Sequence, residues 1–297
     1  MAPPRFQRLV IYGVGLLGGS LGMALKRRGM AAHVVGLGRS LERLERARQL
    51  GTIDEAQTRP EPALEGADAL VLAVPPRLIR ERLAEFAPLL APGAFVTDVG
   101  SVKGPIVAEA ERVFAPEVVF IGSHPMAGSE KTGAEHARSD FFEGCACILT
   151  PTARTNPSAL ALATRFWSAL GARLVVTAPQ RHDTLLAGIS HLPHLVAAAL
   201  MQTLDRKLGS PAELAAIAGG GLRDTTRIAA SDPELWRQIF AENGPALLEN
   251  LDALLAVLGE WRAALDRPAP DIKTLGQLFA EGAAARQALQ TPPANTE

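Results

Sequence analysis

At 297 residues, with a formal net charge of −1 and charged side chains of both signs interspersed, the chain has no basic footprint for nucleic acid and no polybasic patch for a membrane surface. A hydrophobic share of 47% over that length supplies more core than one domain usually encloses, so two domains are expected. No apolar run reads as long enough to span a bilayer and Met1 to Arg8 is too short and polar for a signal peptide, which makes the cytoplasm the expected location.

Arg8 to Tyr12 reads as a short buried strand running into Gly13-Val14-Gly15-Leu16-Leu17-Gly18. Leu21, Ala24 and Leu25 then carry helical periodicity to about Gly29. Strand, glycine turn and helix at this spacing are the dinucleotide-binding fingerprint. One glycine makes the tight turn, one admits pyrophosphate to the backbone amides, and one lets helix and strand pack closely. Gly13, Gly15, Leu16, Leu17 and Gly18 are therefore the expected cofactor contacts, with the helix N-terminus supplying a positive dipole end.

His33 to Leu37 reads as the second strand and Leu41 to Leu50 as the second helix. Enzymes selective for NAD place an acidic residue here, ~20 residues beyond the glycine turn, to accept from the ribose hydroxyls. This chain has Gly36-Leu37-Gly38-Arg39-Ser40 instead. Without a carboxylate to repel a 2′-phosphate, and with Arg39 and Ser40 able to bind one, the expected cofactor is NADP rather than NAD. The plainer reading makes Arg39 a solvated loop residue and Ser40 the cap of the next helix.

Ala69 to Val74 is a further strand ending at Pro75-Pro76, with Val74 and Pro75 counted among the cofactor contacts. Ala94 to Val99 is another, ending in Gly100-Ser101-Val102-Lys103, and Val118 to Ile121 precedes a loop from Gly122 to Glu130 that carries His124. Alternating strands and helices imply a parallel sheet whose carboxyl-end loops, at Gly13, Pro75, Ser101 and His124, open on one crevice. His124 has the pKa range of a general base and sits where a rigid strand would aim it, although a lone loop histidine is also an ordinary hydrogen-bonding residue. Ser101 reads equally as a helix cap. Cys145 and Cys147 point to opposite faces of a strand, Cys145 to Leu149, and read as small core residues rather than a disulfide or metal pair. A helix from Asn156 to Leu170 and a strand from Arg173 to Thr177 complete a first domain, 1–178.

From Pro179 strand patterns stop, and 179–297 reads as an all-helical domain with a disordered tail at 290–297. Asp183, Ala187, Ser190 and His194 share one helical face, and Leu192, Leu195 and Ala199 another. His191 and His194 are three apart, but no acidic or cysteine ligand of the right kind is near in sequence, so no metal is expected. Pro193 interrupts this helix locally. Arg223 and Arg227 are four apart and can share a face, suited to a carboxylate, or pair with Asp224 in solvent. Ser231-Asp232-Pro233-Glu234 starts another helix, in which Trp236 reads by default as a packing residue. Asn250 to Leu265 carries more apolar surface than one chain needs, which points to a homodimer through the C-terminal helices.

Together, Gly13 to Ser20, Asp98 to Lys103, Gly122 to Glu130, Ile189 to His194 and Gly219 to Trp236 resemble the prephenate/arogenate (cyclohexadienyl) dehydrogenase family of tyrosine biosynthesis, over nearly the whole length. The resemblance implies a Rossmann-type dinucleotide-binding domain followed by a helical dimerisation domain. It implies that His124 is the catalytic histidine on the substrate's ring hydroxyl and that Ser101 bridges this histidine, the hydroxyl and the nicotinamide ribose. It further implies His194, Arg227, Trp236, Ser129 and Thr132 as substrate-pocket residues, with Arg227 on a carboxylate. Unlike some relatives, the chain shows no fused mutase or regulatory domain, so tyrosine feedback would act at or near the active site. The competing readings are a β-hydroxyacid dehydrogenase, which would rely on a lysine such as Lys103, and a non-catalytic dinucleotide-sensing protein on the same fold.

Overall fold

A computed structural model describes residues 2–128, 131–208 and 211–289. The expected tail at 290–297 and the pocket residue Ser129 lie outside the described residues. By contacts the chain divides into two compact units, 1–246 and 247–297. Helices after Pro179 thus stay with the sheet as far as Ala246, beyond the compositional boundary at 178/179 where strand patterns end.

The first unit is built on one eight-stranded sheet. Its elements are β1 (Phe6–Tyr12), α1 (Leu16–Arg27), β2 (Ala31–Leu37), α2 (Leu41–Gln49), β3 (Glu55–Gln57), α3 (Pro60–Leu64), β4 (Ala69–Leu72), α4 (Pro76–Phe86), β5 (Phe95–Asp98), α5 (Gly104–Val113), β6 (Val119–Pro125), β7 (Ala146–Thr150), α6 (Pro157–Ala169) and β8 (Arg173–Val176). Strand order is β3-β2-β1-β4-β5-β6-β7-β8. Side chains alternate to two buried faces: Leu9 and Ile11 join α1 and α6 residues such as Leu21, Leu25, Phe166 and Trp167, while Val10 and Tyr12 join Ile79, Leu83 and Phe86 of α4. Burial on both faces explains why β1 reads as a continuous apolar run.

β1 to β6 pair in parallel, as the alternating pattern predicts. β7 departs from it by running antiparallel to β6, and β8 follows β7 in parallel. The reason lies in the connection between β6 and β7, whose described residues form a short 3₁₀ turn, Ala134–His136, and no α-helix. A parallel return needs a crossover, usually an α-helix. β3 and α3 were not foreseen. β3 has three half-buried residues and no hydrophobic alternation, and Arg8 of β1 anchors it through Glu55 at 2.8 Å.

After β8 the chain forms α7 (Pro179–Leu186), a π turn over Ala187–His191, and α8 (Leu192–Leu208). The regular α-helix is interrupted just before Pro193, as the sequence reading has it, but the chain stays helical through the interruption. The missing N–H of Pro193 and the bulk of its ring are absorbed by the wider π turn one turn earlier. The continuous helix Pro179–Leu208, with a mean hydropathy of 1.5 in its most apolar window, is also long and apolar enough by length and composition to cross a membrane. That corrects the sequence statement that no such run exists. Core helices pass the same test, and this one buries His182, Asp183 and His191, a polar face unsuited to lipid. α9 (Pro211–Ile217), α10 (Gly220–Thr226), a 3₁₀ turn (Arg227–Ala230) and α11 (Pro233–Glu242) follow. Arg80 of α4 pairs with Glu242 of α11 at 3.0 Å.

α12 (Gly244–Leu265) leads into the second unit, which also holds α13 (Ile272–Ala288), capped by Asp271 accepting from the Thr274 N–H. Leu255, Leu258, Ile272 and Phe279 are exposed on these helices.

Candidate active site

The strand order reverses between β1 and β4, and the carboxyl ends of both open beside the glycine turn. Each glycine there has a separate steric reason. Gly13 takes φ +97°, and a Cβ on it would come within 2.6 Å of the Ala73 carbonyl oxygen and 2.5 Å of Val74. A Cβ on Gly18 would lie 2.0 Å from the Gly13 carbonyl oxygen, so only glycine lets α1 start this close to β1. A Cβ on Gly15 would meet nothing within 4 Å. That open side borders the first turn of α1, which no side chain caps, so backbone N–H groups and the dipole are free to hold a phosphate. Leu16 and Leu17 begin this helix, Val74 packs against the turn, and Pro75 precedes α4. The residues present therefore fit a dinucleotide pyrophosphate. At the end of β2, Ser40 caps α2 by accepting from the Arg43 N–H, and Arg39 is exposed.

Ser101 follows β5 but does not cap α5, whose preceding residue is Lys103. Its hydroxyl makes no hydrogen bond among the described residues. The caps come from elsewhere: the N–H groups of Lys103 and Gly104 donate to the two Asp183 carboxylate oxygens, each at 2.7 Å. Lys103 itself is fully buried, its ammonium held by Asp98 and by the Ser123 carbonyl at 2.9 Å. Burial pulls its pKa down, with Asp98 opposing. Lys103 is thus held between Asp98 and Ser123 with no exposed surface, which weighs against the β-hydroxyacid dehydrogenase reading that looks to it.

His124 lies on β6 itself, not on a loop after it. Pairing with β7, where His124 stands opposite Ile148, extends the strand through Gly122-Ser123-His124-Pro125 despite its weak strand propensity. Only 9% of His124 is exposed. Nor is it lone: its Nδ1 lies 2.9 Å from His182 Nε2, and His182 Nδ1 lies 2.7 Å from Asp183 Oδ1. Burial holds the His124 pKa well below the usual range, with His182 and Lys103 adding to the effect. Burial lowers His182 as well, against the opposing pull of Asp183. Both rings are thus neutral at pH 7.

The sequence reading missed His182, and it placed Asp183 on the same face as His194. The π turn separates them. Asp183, Ala187 and His191 share the buried side, whereas His194 is half-buried and stacks on Trp236 with ring centroids 3.8 Å apart. His194 Nδ1–H donates to the Ser190 carbonyl at 2.8 Å. Burial lowers its pKa, and the nearby positive charge of Arg227 adds to this, which brings Arg227 into electrostatic reach of the ring. Arg227 opens the 3₁₀ turn and is exposed, as are Arg223 and Thr132. His191, also missed as a site neighbour, packs edge-on against Trp236 and takes a 3.1 Å hydrogen bond at Nδ1 from Asn243, which also donates to the Asp183 carbonyl. Burial draws His191 down to about 4.

A glycine cradle at the reversal of a parallel sheet, with a buried neutral histidine three strands away, is the layout of a nucleotide-binding oxidoreductase. Comparison with known proteins narrows it. The prephenate dehydrogenase nucleotide-binding domain matches residues 21–176, and the prephenate dehydrogenase dimerization domain matches residues 178–281. A cyclohexadienyl dehydrogenase of Zymomonas mobilis is 34% identical over 289 residues, covering 96% of this chain and 97% of its own. A crystal structure of Aquifex aeolicus prephenate dehydrogenase, in complex with hydroxyphenyl propionate and NAD+, superposes with a TM-score of 0.88 at 34% identity, covering 96% of this chain and 98% of that one. Synechocystis arogenate dehydrogenase gives 0.79 at 31% identity, covering 95% and 100%. The chain belongs to the prephenate/arogenate (cyclohexadienyl) dehydrogenase family, oxidoreductases of tyrosine biosynthesis.

Proposed function

We propose that this chain carries out the oxidative decarboxylation of prephenate, arogenate or both, to 4-hydroxyphenylpyruvate or tyrosine, with NADP as its preferred hydride acceptor. The observation that carries the reading is His124, a buried neutral imidazole at the end of β6, one strand from Ser101 and on the same sheet edge as the glycine cradle. When bound at the cradle, the nicotinamide supplies the acceptor for hydride from the ring carbon that bears the hydroxyl. His124 takes or polarises the hydroxyl proton, and Ser101, with no partner of its own among the described residues, is free to bridge hydroxyl and base. Loss of the ring carboxylate as carbon dioxide completes aromatisation. Arg227 holds a substrate carboxylate, and His194 and Trp236 form the stacked wall of the pocket, with Thr132 as a further contact. Orientation and electrostatics are the protein's main contributions.

The preference for NADP rests on the end of β2. Gly38 stands where an NAD-selective site has a carboxylate, and Glu55 on neighbouring β3 is committed to Arg8 and His33. Arg39 and Arg82 both act electrostatically on Tyr12 at the end of β1, so two guanidinium groups border this corner. The Aquifex relative was solved with NAD+, so the proposal stands on residues of this chain alone. A homodimer through the second unit accords with its exposed apolar residues and with the matched dimerization domain. On this reading 1–178 holds the cofactor, and 179–297 supplies substrate and dimer contacts in a cytoplasmic enzyme.

The test is turnover of prephenate, arogenate and small β-hydroxyacids, each with NADP and NAD. Activity on either cyclohexadienyl acid is expected, with NADP favoured by about ten- to a hundredfold in kcat/KM, the value of one charge-assisted phosphate contact. Gly38→Asp/Arg39→Ala should move the preference toward NAD. Wild-type preference for NAD, or no shift in the double variant, overturns the cofactor assignment.

A further inference from the structure

We propose that His182 and Asp183 are positioning residues that fix His124 in its Nδ1–H tautomer, leaving Nε2 as the lone pair that faces the substrate hydroxyl. This deepens the reading of His124 as the base and rests on it. The argument runs along the chain of donors. Both Asp183 oxygens already accept backbone N–H groups, from Lys103 and Gly104, at the N-terminus of α5, where the helix dipole favours a carboxylate. The seat is tight, since a Cβ on Gly104 would come within 2.9 Å of Asp183 Oδ2. Asp183 is therefore an acceptor toward His182, and the 2.7 Å contact makes His182 Nδ1 the donor.

A neutral His182 with its proton on Nδ1 has only a lone pair at Nε2. Across 2.9 Å, His124 Nδ1 must then be the N–H donor. Its remaining nitrogen, Nε2, is unprotonated and able to take a proton. The opposite arrangement disables the site: a His182 protonated at Nε2 would donate to His124 Nδ1 and force the proton of a neutral His124 onto Nε2. Charged and titratable groups around the pair are Asp98 and Lys103 from the β5–α5 corner, Asp183 from α7, His191 from the π turn and Cys147 from β7. Burial keeps both rings neutral among them, which is the state the relay requires.

His182 lies 58 residues from His124 in the chain, so the pairing exists only in the folded protein. The experiment combines nitrogen NMR with kinetics. In 15N-histidine-labelled wild-type protein between pH 6 and 8, His124 is expected to show a protonated Nδ1 and an unprotonated Nε2. His182→Phe should lower kcat by about 10²–10⁴-fold, the range a positioned base contributes, with KM little changed. His182→Gln, which puts an amide oxygen where Nε2 stood, should recover at least a tenth of wild-type kcat and keep the Nδ1–H signal. A wild-type spectrum with the proton on Nε2, or undiminished kcat in the folded His182→Phe protein, overturns the proposal. A wild-type protein inactive on both cyclohexadienyl acids overturns the substrate reading instead, while the nitrogen spectrum still decides the tautomer.

Discussion

The two walls of the proposed site are made of different material. The glycine turn between β1 and α1 is backbone throughout: its geometry comes from the absence of side chains at Gly13 and Gly18, and its binding capacity from uncapped amides. The opposite wall is side chain throughout, a buried series from His124 through His182 to Asp183 that ends on the amides of α5. A backbone wall is specified by six adjacent residues. The side-chain wall needs three separate elements to arrive together, and its working state depends on protonation as well as position. Substitutions should therefore damage the first wall through fit and the second through chemistry.

The sharpest separation comes from His124→Asn. Turnover should fall by about 10²–10⁴-fold with cofactor affinity unchanged, measured by steady-state kinetics and by cofactor titration in the same protein. Near wild-type turnover would make His124 structural. The next largest effect concerns protonation of the helical side. His191 falls from the ordinary 6.5 to about 4 on burial, so the unfolded chain takes up its proton first as pH drops. Stability is then fully present above pH 6.5 and lost between 6.5 and 4, by about 3 kcal/mol for this group alone. Urea unfolding from pH 7 to 4 checks the slope, and His191→Leu should flatten it. A slope unchanged in that variant would assign the loss to other groups.

Arg227→Ala should raise the substrate KM by about ten- to a hundredfold, because a charge-assisted hydrogen bond to a carboxylate is worth about 1.5–3 kcal/mol. Arg223→Ala should do less. An equal or larger effect at Arg223 would give the carboxylate to the wrong side of α10. Gly18→Ala tests the backbone wall. Its Cβ has to displace the Gly13 carbonyl, so cofactor affinity should drop and stability fall by about 1–3 kcal/mol, with the tautomer of His124 untouched. A change in the His124 nitrogen spectrum would show that the two walls are coupled.

This contrast also governs what was legible beforehand. The glycine turn, five of the six parallel strands and the capping of α2 by Ser40 follow from adjacent residues, and sequence reading finds such features well. β3 was invisible because three residues held by Arg8 carry no periodic signal. The reversal at β7 was hidden in a connection whose described residues form no α-helix, a direction signal that was not weighed. His124 could be singled out, yet its partner could not, since nothing in Arg181-His182-Asp183 marks a residue that will meet β6. One signal was available: an adjacent histidine and aspartate at the start of an apolar helix is a costly pair to bury without a task. Along the helix from Pro179 to Leu208, regular helical counting placed Asp183 and His194 together and left His191 off their face, and the π turn is the reason it failed.

That turn makes the helix from Pro179 to Leu208 a shaft cut in two and rejoined out of phase. An α-helix advances about 100° per residue and the π turn takes up one residue beyond that count, so winding 187–191 into regular α-helix with no residue lost would rotate His194 by up to about a quarter turn relative to His182, whereas deleting one residue there would leave the two nearly in phase. The half that holds His182 and Asp183 and the half that meets Trp236 are keyed separately. Under the proposed function, substitutions beyond the splice reshape what the pocket accepts without turning His182 and Asp183, so substrate choice can drift while the proton chemistry stays in register.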